Sequence, residues 1–172
     1  MQREIAEIER ELRLIGRHVA MGAFGTRGRL DRSAYLLLSR IEIEGPMSIG
    51  QLAEAFGLDT STVNRQTAAL LRSGVAERIP DPDGGMARKV RITPEGLRRL
   101  HADRAWATDG LGVVLAGWTR EDLAGFASVL ARFNMAVEDH EGRGWPRPGP
   151  SGTAGLPATV VPPGRRSEED FG

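Results

Sequence analysis

The chain contains no cysteine and only one lysine, Lys89, among its 172 residues. The lack of cysteine excludes disulfide bonds, zinc–thiolate sites and thiol redox switches. No apolar run approaches the ~20 residues of a membrane-spanning helix, and the densely charged N-terminus lacks an apolar core of signal-peptide length. We therefore expect a soluble cytoplasmic protein that makes no membrane contact.

Other features that would indicate a particular chemistry are also missing. The formal net charge is zero, so any affinity for nucleic acid must come from a local surface. No nucleophile–base pair, phosphate-cradling glycine loop or pair of carboxylates occurs in a suitable context, so we expect neither an enzyme nor a bound cofactor. The histidines His18, His101 and His140 stand beside other ligand types only at spacings that point in different directions on a helix, and we predict no metal site.

Residues 48–93 form the most informative stretch of the sequence, because they predict two short helices in close succession. Ser48 and Gln51 fit a capping box at the start of the first of these helices. Gly57 suits the left-handed conformation that often ends a helix, and Asp59 suits the N-cap of the next one. This spacing predicts a helix-turn-helix.

A β-hairpin is predicted directly after the second of these helices. Its arms are residues 75–79 and 88–92, and the glycines of Asp83-Gly84-Gly85 suit the tip of the turn. Alternation along the second arm places Val90 and Ile92 on one face and Lys89 and Arg91 on the other. The hairpin predicts a wing attached to the helix-turn-helix.

The helix that follows Asp59 begins with small polar residues and one cation, and such a helix end usually enters the DNA major groove. Arg65 suits guanine, Asn64 suits adenine, and hydroxyls at the helix start suit phosphate. The alternative is that these residues merely cap the helix, although Asp59 already occupies the cap position. The predicted DNA-binding residues are Thr60, Ser61, Thr62, Asn64, Arg65, Gln66, Arg88, Lys89 and Arg91.

Regular apolar stripes are predicted on two helices that flank the winged segment. The first helix (about 2–24) carries Ile5, Ile8, Leu12, Ile15 and Val19, and the last carries Leu123, Phe126, Leu130, Phe133 and Val137. No local element covers either stripe, and large exposed apolar patches usually mark interfaces. We expect two chains to pair through them, which would place two recognition helices roughly 34 Å apart; the alternative is packing within one chain.

The sequence therefore predicts a mostly α-helical fold with four parts. Residues 1–45 form N-terminal dimerisation and linker helices, the second helix running from about 31 to 44 after an Asp31 cap. Residues 46–93 form the winged helix-turn-helix. Residues 94–140 form C-terminal dimerisation helices, the first running from the Thr93 cap to about 116. Residues 141–172, rich in proline and glycine, are predicted to be a disordered tail.

Over about residues 1–140 this order of elements resembles the MarR family of transcriptional regulators. The most specific matching parts are QLAEAFGLDTSTVNRQTAALLRSGVAERI and RKVRITPEG. The resemblance implies a homodimer that binds a palindromic operator in double-stranded DNA, usually as a repressor. It further implies release by a small aromatic or anionic ligand in a crevice between the lobes, for which the candidate lining residues are Arg17, His18, Met21, Tyr35 and Trp106.

The wing departs from the family pattern at two positions. Family members usually carry an aspartate and, two residues later, an arginine that enters the minor groove, whereas this chain has Gly84 and Met86 there. Arg88 is placed to substitute for the missing cation. Two other functions stay open: a winged-helix protein-interaction module whose wing has lost its DNA contacts, and a metal-sensing regulator.

Overall fold

A computed structural model of the chain describes residues 1–20 and 30–147. These residues form mostly helices, with three short strands that build one antiparallel sheet. In chain order the elements are α1 (Gln2–Ala20), α2 (Arg32–Glu44), β1 (Met47–Ser48), α3 (Ile49–Phe56), α4 (Thr60–Arg72), β2 (Ala76–Ile79), β3 (Lys89–Ile92), α5 (Pro94–Val114) and α6 (Arg120–Glu141). The mostly α-helical winged fold predicted from the sequence is confirmed.

Local capping chemistry sets most of the helix boundaries. Ser48 and Gln51 form the predicted reciprocal capping box of α3, and Gly57 ends that helix in the left-handed conformation with φ 61°. Asp31 accepts a hydrogen bond from the backbone N–H of Ala34 at 2.8 Å, as expected for an N-cap. Asp59 differs: it occupies the N-cap position of α4 but makes no capping hydrogen bond through its side chain. Asp59 therefore no longer counts against a capping role for the polar residues that follow it.

The sheet has one strand more than the sequence predicted. Its order is β1-β3-β2, with both pairs antiparallel. The extra strand is β1, in which Met47 lies opposite Val90 and Ser48 lies opposite Lys89. A strand of two residues is too short for alternation to reveal, so only the approach of α3 to the wing defines it.

The hydrophobic core lies between α2, α3, α4, the sheet and the start of α5. The largest fully buried side chains are Leu37, Leu38, Ile41, Leu52, Val63, Thr67, Val75, Val90 and Leu100. The α5 helix begins in close contact with this core, since a Cβ at Gly96 would overlap the carbonyl oxygen of Val75. Helix α2 is central in this core, because its buried residues include Leu37, Leu38 and Ile41.

Residues 142–147, here called the C-terminal segment, pack against the core domain. The Trp145 ring meets Phe56 edge-on with centroids 5.8 Å apart, and the Arg40 guanidinium lies 5.4 Å from the Trp145 ring centre. Arg40 also donates to the Gly144 carbonyl at 2.9 Å. The predicted disordered tail was to begin at 141, so residues 142–147 differ from the prediction. The prediction used proline and glycine content, which carries no information about the contact between Trp145 and Phe56 of α3. Residues 148–172 of the predicted tail lie outside the described part.

The terminal helices α1 and α6 contrast with the core domain. No residue of α6 is buried, and every α1 side chain from residue 2 to 19 is exposed. The apolar stripes predicted on both helices are uncovered within the described residues, Ile5 at 56% and Phe126 at 39% exposure. No described helix is both long enough and apolar enough to cross a lipid bilayer.

Candidate nucleic-acid interface

Helix α4 turns one face to the core and the other to solvent. Val63, Thr67 and Leu70 are buried, and their spacing of four and three residues keeps them on one side. Thr60, Ser61, Asn64 and Arg65 are exposed, and Thr62 is half-buried. Arg65 donates to the Thr62 hydroxyl at 3.3 Å. The polar N-terminal half of α4 is therefore accessible to a large partner.

An open cleft separates the N-terminal half of α4 from the wing. It has a volume of about 420 Å³ and is lined by Ile49, Thr60, Ser61, Asn64, Arg78 and Arg88. We call it the α4–wing cleft. Two guanidinium groups, two hydroxyls and one amide thus surround it, and arginine suits both phosphate and base edges because its donors form a planar fork. The structure brings four of the predicted DNA-binding residues together here.

Arg78 lines the cleft although it is not among the predicted DNA-binding residues. It lies on β2 opposite Val90 of β3, and its guanidinium donates to the Asn64 carbonyl oxygen at 3.2 Å. Arg88 has the same strand parity as Val90 and donates to the Arg78 carbonyl oxygen at 3.4 Å. Strand alternation could have indicated that Arg88 faces the cleft, because it places Arg88 on the opposite face from Lys89 and Arg91.

Lys89 and Arg91 lie on the other face of the wing. Lys89 is nearly buried, and its ammonium contacts Asp81 at 2.7 Å and Asp83 at 2.9 Å. The hydrogen bond to Asp81 is the main cause that raises the pKa of Lys89, and the same bond lowers the pKa of Asp81. Arg91 pairs with Glu77 across the strands at 2.8 Å. Both cations already have carboxylate partners, a geometry that favours a role in wing structure; their DNA contacts stay predictions.

The wing tip and Gln66 also lie apart from the cleft lining. Gly84 adopts φ 80° in the turn, and Met86 is fully exposed, so the two positions that depart from the family pattern form an accessible tip. Gln66 is half-buried and borders a separate apolar cavity of about 240 Å³ beside Leu36 and Leu58. Its predicted DNA contact is untested.

The candidate ligand-lining residues are distributed over several helices. Arg17 and His18 are exposed near the end of α1, Tyr35 packs against the core from α2, and Trp106 is partly exposed on α5. Met21 lies outside the described residues. Their convergence on one ligand remains a prediction.

A cluster of ion pairs joins α2 to α5. The Glu42 carboxylate contacts His101 and Arg104, each at 2.6 Å. Burial acts to raise the pKa of Glu42, but the hydrogen bonds from His101 and Arg104 outweigh it, so the pKa lies below its usual value. Among the described residues no group of three or more potential ligands is arranged to hold a metal ion.

The fold and the α4–wing cleft define a winged helix-turn-helix DNA-binding protein. The model of the MarR family matches residues 30–84. The HTH-type transcriptional regulator YxaD of Bacillus subtilis strain 168 is 37% identical over 112 residues, which cover 65% of this chain and 78% of YxaD. The chain belongs to the MarR family of transcriptional regulators.

Solved structures agree with this fold. A MarR family protein from Bacillus stearothermophilus superimposes with a TM-score of 0.70 at 21% identity, covering 80% of this chain and 97% of that one. The PcaV transcriptional regulator from Streptomyces coelicolor, solved in complex with its natural ligand, gives a TM-score of 0.56 at 25% identity and covers 74% and 91%.

Proposed function

We propose that the protein is a repressor that binds a palindromic operator as a homodimer, with one α4 helix in each of two successive major grooves. The observation that carries the proposal is the α4–wing cleft, in which exposed donors of α4 face two wing arginines. Such a cleft suits the phosphate backbone at the edge of a groove, while the outer side of α4 meets base edges.

The contacts divide by chemistry. Arg65 and Asn64 suit base edges because their side chains are exposed and extend from the first turns of α4. Thr60, Ser61 and Thr62 suit phosphates, which fix the position of the protein on the duplex. Arg88 lines the cleft and suits the backbone or minor groove in place of the missing wing-tip arginine.

The uncovered terminal helices support the homodimer. Isolated apolar side chains on a surface are common, but the stripes of α1 and α6 are contiguous along helices of 19 and 22 residues. A twofold pair buries the same patch on both chains and positions two identical α4 helices for a palindrome. The proposed division is thus a dimerisation part, 1–45 with 94–140, around the DNA-binding part, 46–93.

A small aromatic or anionic ligand is proposed as the releasing signal. Support comes from PcaV, which was solved with its natural ligand. Near the C-terminal end of α1, Arg17 supplies a cationic group and His18 a hydrogen-bonding group for an anion. The proposed site lies between α1, α2 and α5, with Tyr35 and Trp106 as the aromatic contributors.

The test is a duplex titration with the full chain at several salt concentrations. We expect the logarithm of the binding constant to fall with the logarithm of salt, each phosphate contact adding about 0.9 to the slope. Arg65→Ala should cost roughly 1–3 kcal/mol and relax preference at one base position. Arg72→Ala is the matched control, since Arg72 is an exposed arginine at the far end of α4. Equal effects of the two variants would contradict the proposed placement of α4.

One observation favours a second function, a winged-helix module that binds another protein. Met86 is fully exposed at the wing tip, where an apolar side chain suits a protein surface better than a minor groove. Failure to bind any genomic duplex at low salt would favour this function over the first.

A further inference from the structure

The hydrogen bond between Arg78 and Asn64 links the wing to the recognition helix within the α4–wing cleft. The guanidinium donates to the Asn64 Oδ1 at 3.2 Å, and both side chains are exposed. A guanidinium has only donors, so the amide group that faces it must be the carbonyl oxygen. The contact therefore fixes which end of the Asn64 amide meets Arg78.

The other end of the amide is left as a pair of donors. Among the described residues no acceptor makes a hydrogen bond with the Asn64 Nδ2; the recorded side-chain partner of Asn64 is Arg78. An asparagine that recognises adenine must do two things at once, accepting from N6 and donating to N7. When its carbonyl is engaged by Arg78, Asn64 retains chiefly its ability to donate.

We infer that Arg78 determines base specificity by holding Asn64 as a donor, so that Asn64 favours guanine over adenine. This inference rests on the proposed function. Guanine presents two acceptors in the major groove, O6 and N7, whereas adenine presents N7 beside the N6 donor. Two N–H groups of one amide match the guanine edge. The adenine N6 donor finds only the second lone pair of an oxygen that is turned towards the Arg78 guanidinium, so the adenine edge is matched less well. The adenine pairing expected from the sequence is thereby replaced.

Arg88 is a matched control for Arg78 within the same cleft. It is an exposed wing arginine that lines the cleft beside Arg78, but its guanidinium contacts the Arg78 backbone carbonyl and not the Asn64 amide. Loss of Arg88 removes the same charge without freeing Asn64. If the wing arginines acted only through their charge, replacing Arg78 or Arg88 would have the same effect. If Arg78 orients Asn64, only the replacement of Arg78 changes base preference.

The experiment is selection of duplexes from a randomised pool by the full chain, followed by titration of the selected sites. Asn64→Ala first identifies the base position whose preference depends on Asn64. At that position the unaltered protein should favour guanine over adenine by about tenfold, the size of a good paired contact. Arg78→Ala should reduce the ratio to about threefold or less, while Arg78→Lys, which keeps a donor, should retain part of it. Arg88→Ala should weaken binding and leave the ratio unchanged.

Each result separates this inference from the proposed function. An unaltered protein that prefers adenine at the Asn64 position, an unchanged ratio in Arg78→Ala, or a ratio that falls equally in Arg88→Ala would overturn the inference while the protein remained a DNA-binding regulator. An Asn64→Ala variant that alters no position would also overturn it. A pool from which no duplex is selected would overturn the proposed function itself. Thermal unfolding of each variant verifies that it is folded.

Discussion

The winged domain, defined here as α2 to α4, the sheet and the start of α5, buries its apolar side chains, whereas the terminal helices α1 and α6 expose theirs. In the winged domain, Leu38, Leu52, Val63 and Leu100 are fully buried by neighbouring elements of the same chain. In α6 no residue is buried, although its composition and periodicity are those of a core-facing helix. The winged domain therefore completes its core within one chain, whereas α1 and α6 expose contiguous apolar surface of the kind that usually marks an interface.

The strongest challenge to this comparison is a charge placed on the apolar stripe of α6. We expect Phe133→Asp to abolish the proposed dimer, because burying an unpaired carboxylate in an interface costs about 3–5 kcal/mol. Arg132→Asp is the control, since Arg132 lies on the polar face with Glu121 and Asp139. Analytical ultracentrifugation reports the oligomeric state. A monomeric unaltered chain, or a dimeric Phe133→Asp variant, would show that the stripe is not the interface.

Two glycines of α5 should respond in opposite directions because the helix leaves the winged domain along its length. At Gly96 a methyl group would overlap the Val75 carbonyl oxygen, which also accepts from the Thr93 backbone N–H at 3.1 Å. We expect Gly96→Ala to lower the free energy of unfolding by about 1–3 kcal/mol. At Gly112 nothing lies within 4 Å, so Gly112→Ala should raise it by about 0.5–1 kcal/mol through helix propensity. Urea denaturation measures both, and destabilisation by Gly112→Ala would indicate a partner packed closely there.

Two tryptophans allow the winged domain and the terminal helices to be compared directly. Trp145 pairs with Phe56 and Arg40 on the winged domain, and Trp118 pairs with Phe126 at 5.3 Å in the terminal region. We expect Trp145→Ala to cost about 1–2 kcal/mol from the lost aromatic and cation–π contacts, independently of protein concentration. If the proposed partner chain packs around Trp118, the effect of Trp118→Ala should vary with protein concentration. The same concentration dependence in both variants would contradict the proposed distinction between a self-contained winged domain and terminal helices that need a partner chain.

The smallest expected effect concerns pH and the C-terminal segment. The hydrogen bond from Arg147, followed by the Trp145 backbone N–H, lowers the pKa of Glu138 from 4.5 to about 2. Because the folded pKa is the lower one, this contact contributes its full stability above pH 4.5, and the contribution is lost as the pH falls towards 2.

Fluorescence of Trp145 in a background with Trp106→Phe and Trp118→Phe measures the release of the segment. We expect a change between pH 4.5 and 2 that is absent from the Glu138→Gln variant, which lacks the titrating carboxyl. A transition of equal size and midpoint in Glu138→Gln would assign it to another group.

Most of the fold could be predicted because its signals are local. The capping box of Ser48 and Gln51, the left-handed Gly57 and the Thr93-Pro94 helix start depend on residues within one turn of each other. The exposed polar face of α4 could be predicted for the same reason, since exposure follows from the spacing of the buried Val63, Thr67 and Leu70; its contact with DNA stays a prediction.

The wing was predicted less completely. The predicted alternation separated Val90 and Ile92 from Lys89 and Arg91 but was not extended to Arg88, which lies on the cleft side. Lys89 could not be assigned to an ion pair with Asp81 from sequence, because the turn that brings them within 2.7 Å consists of the irregular backbone of residues 80–88. Arg78 needed the register of β2 against α4, which is also a tertiary property.

By itself the sequence determined the helices, their caps, the turn between α3 and α4 and the polar start of the recognition helix, since each depends on backbone preferences and side-chain spacing over a few residues. Only the tertiary structure decided that Met47 and Ser48 join the sheet, that Arg78 holds Asn64, and that Trp145 returns to Phe56. Those contacts join residues far apart in the chain, and their partners are chosen by the packing of whole elements around the core.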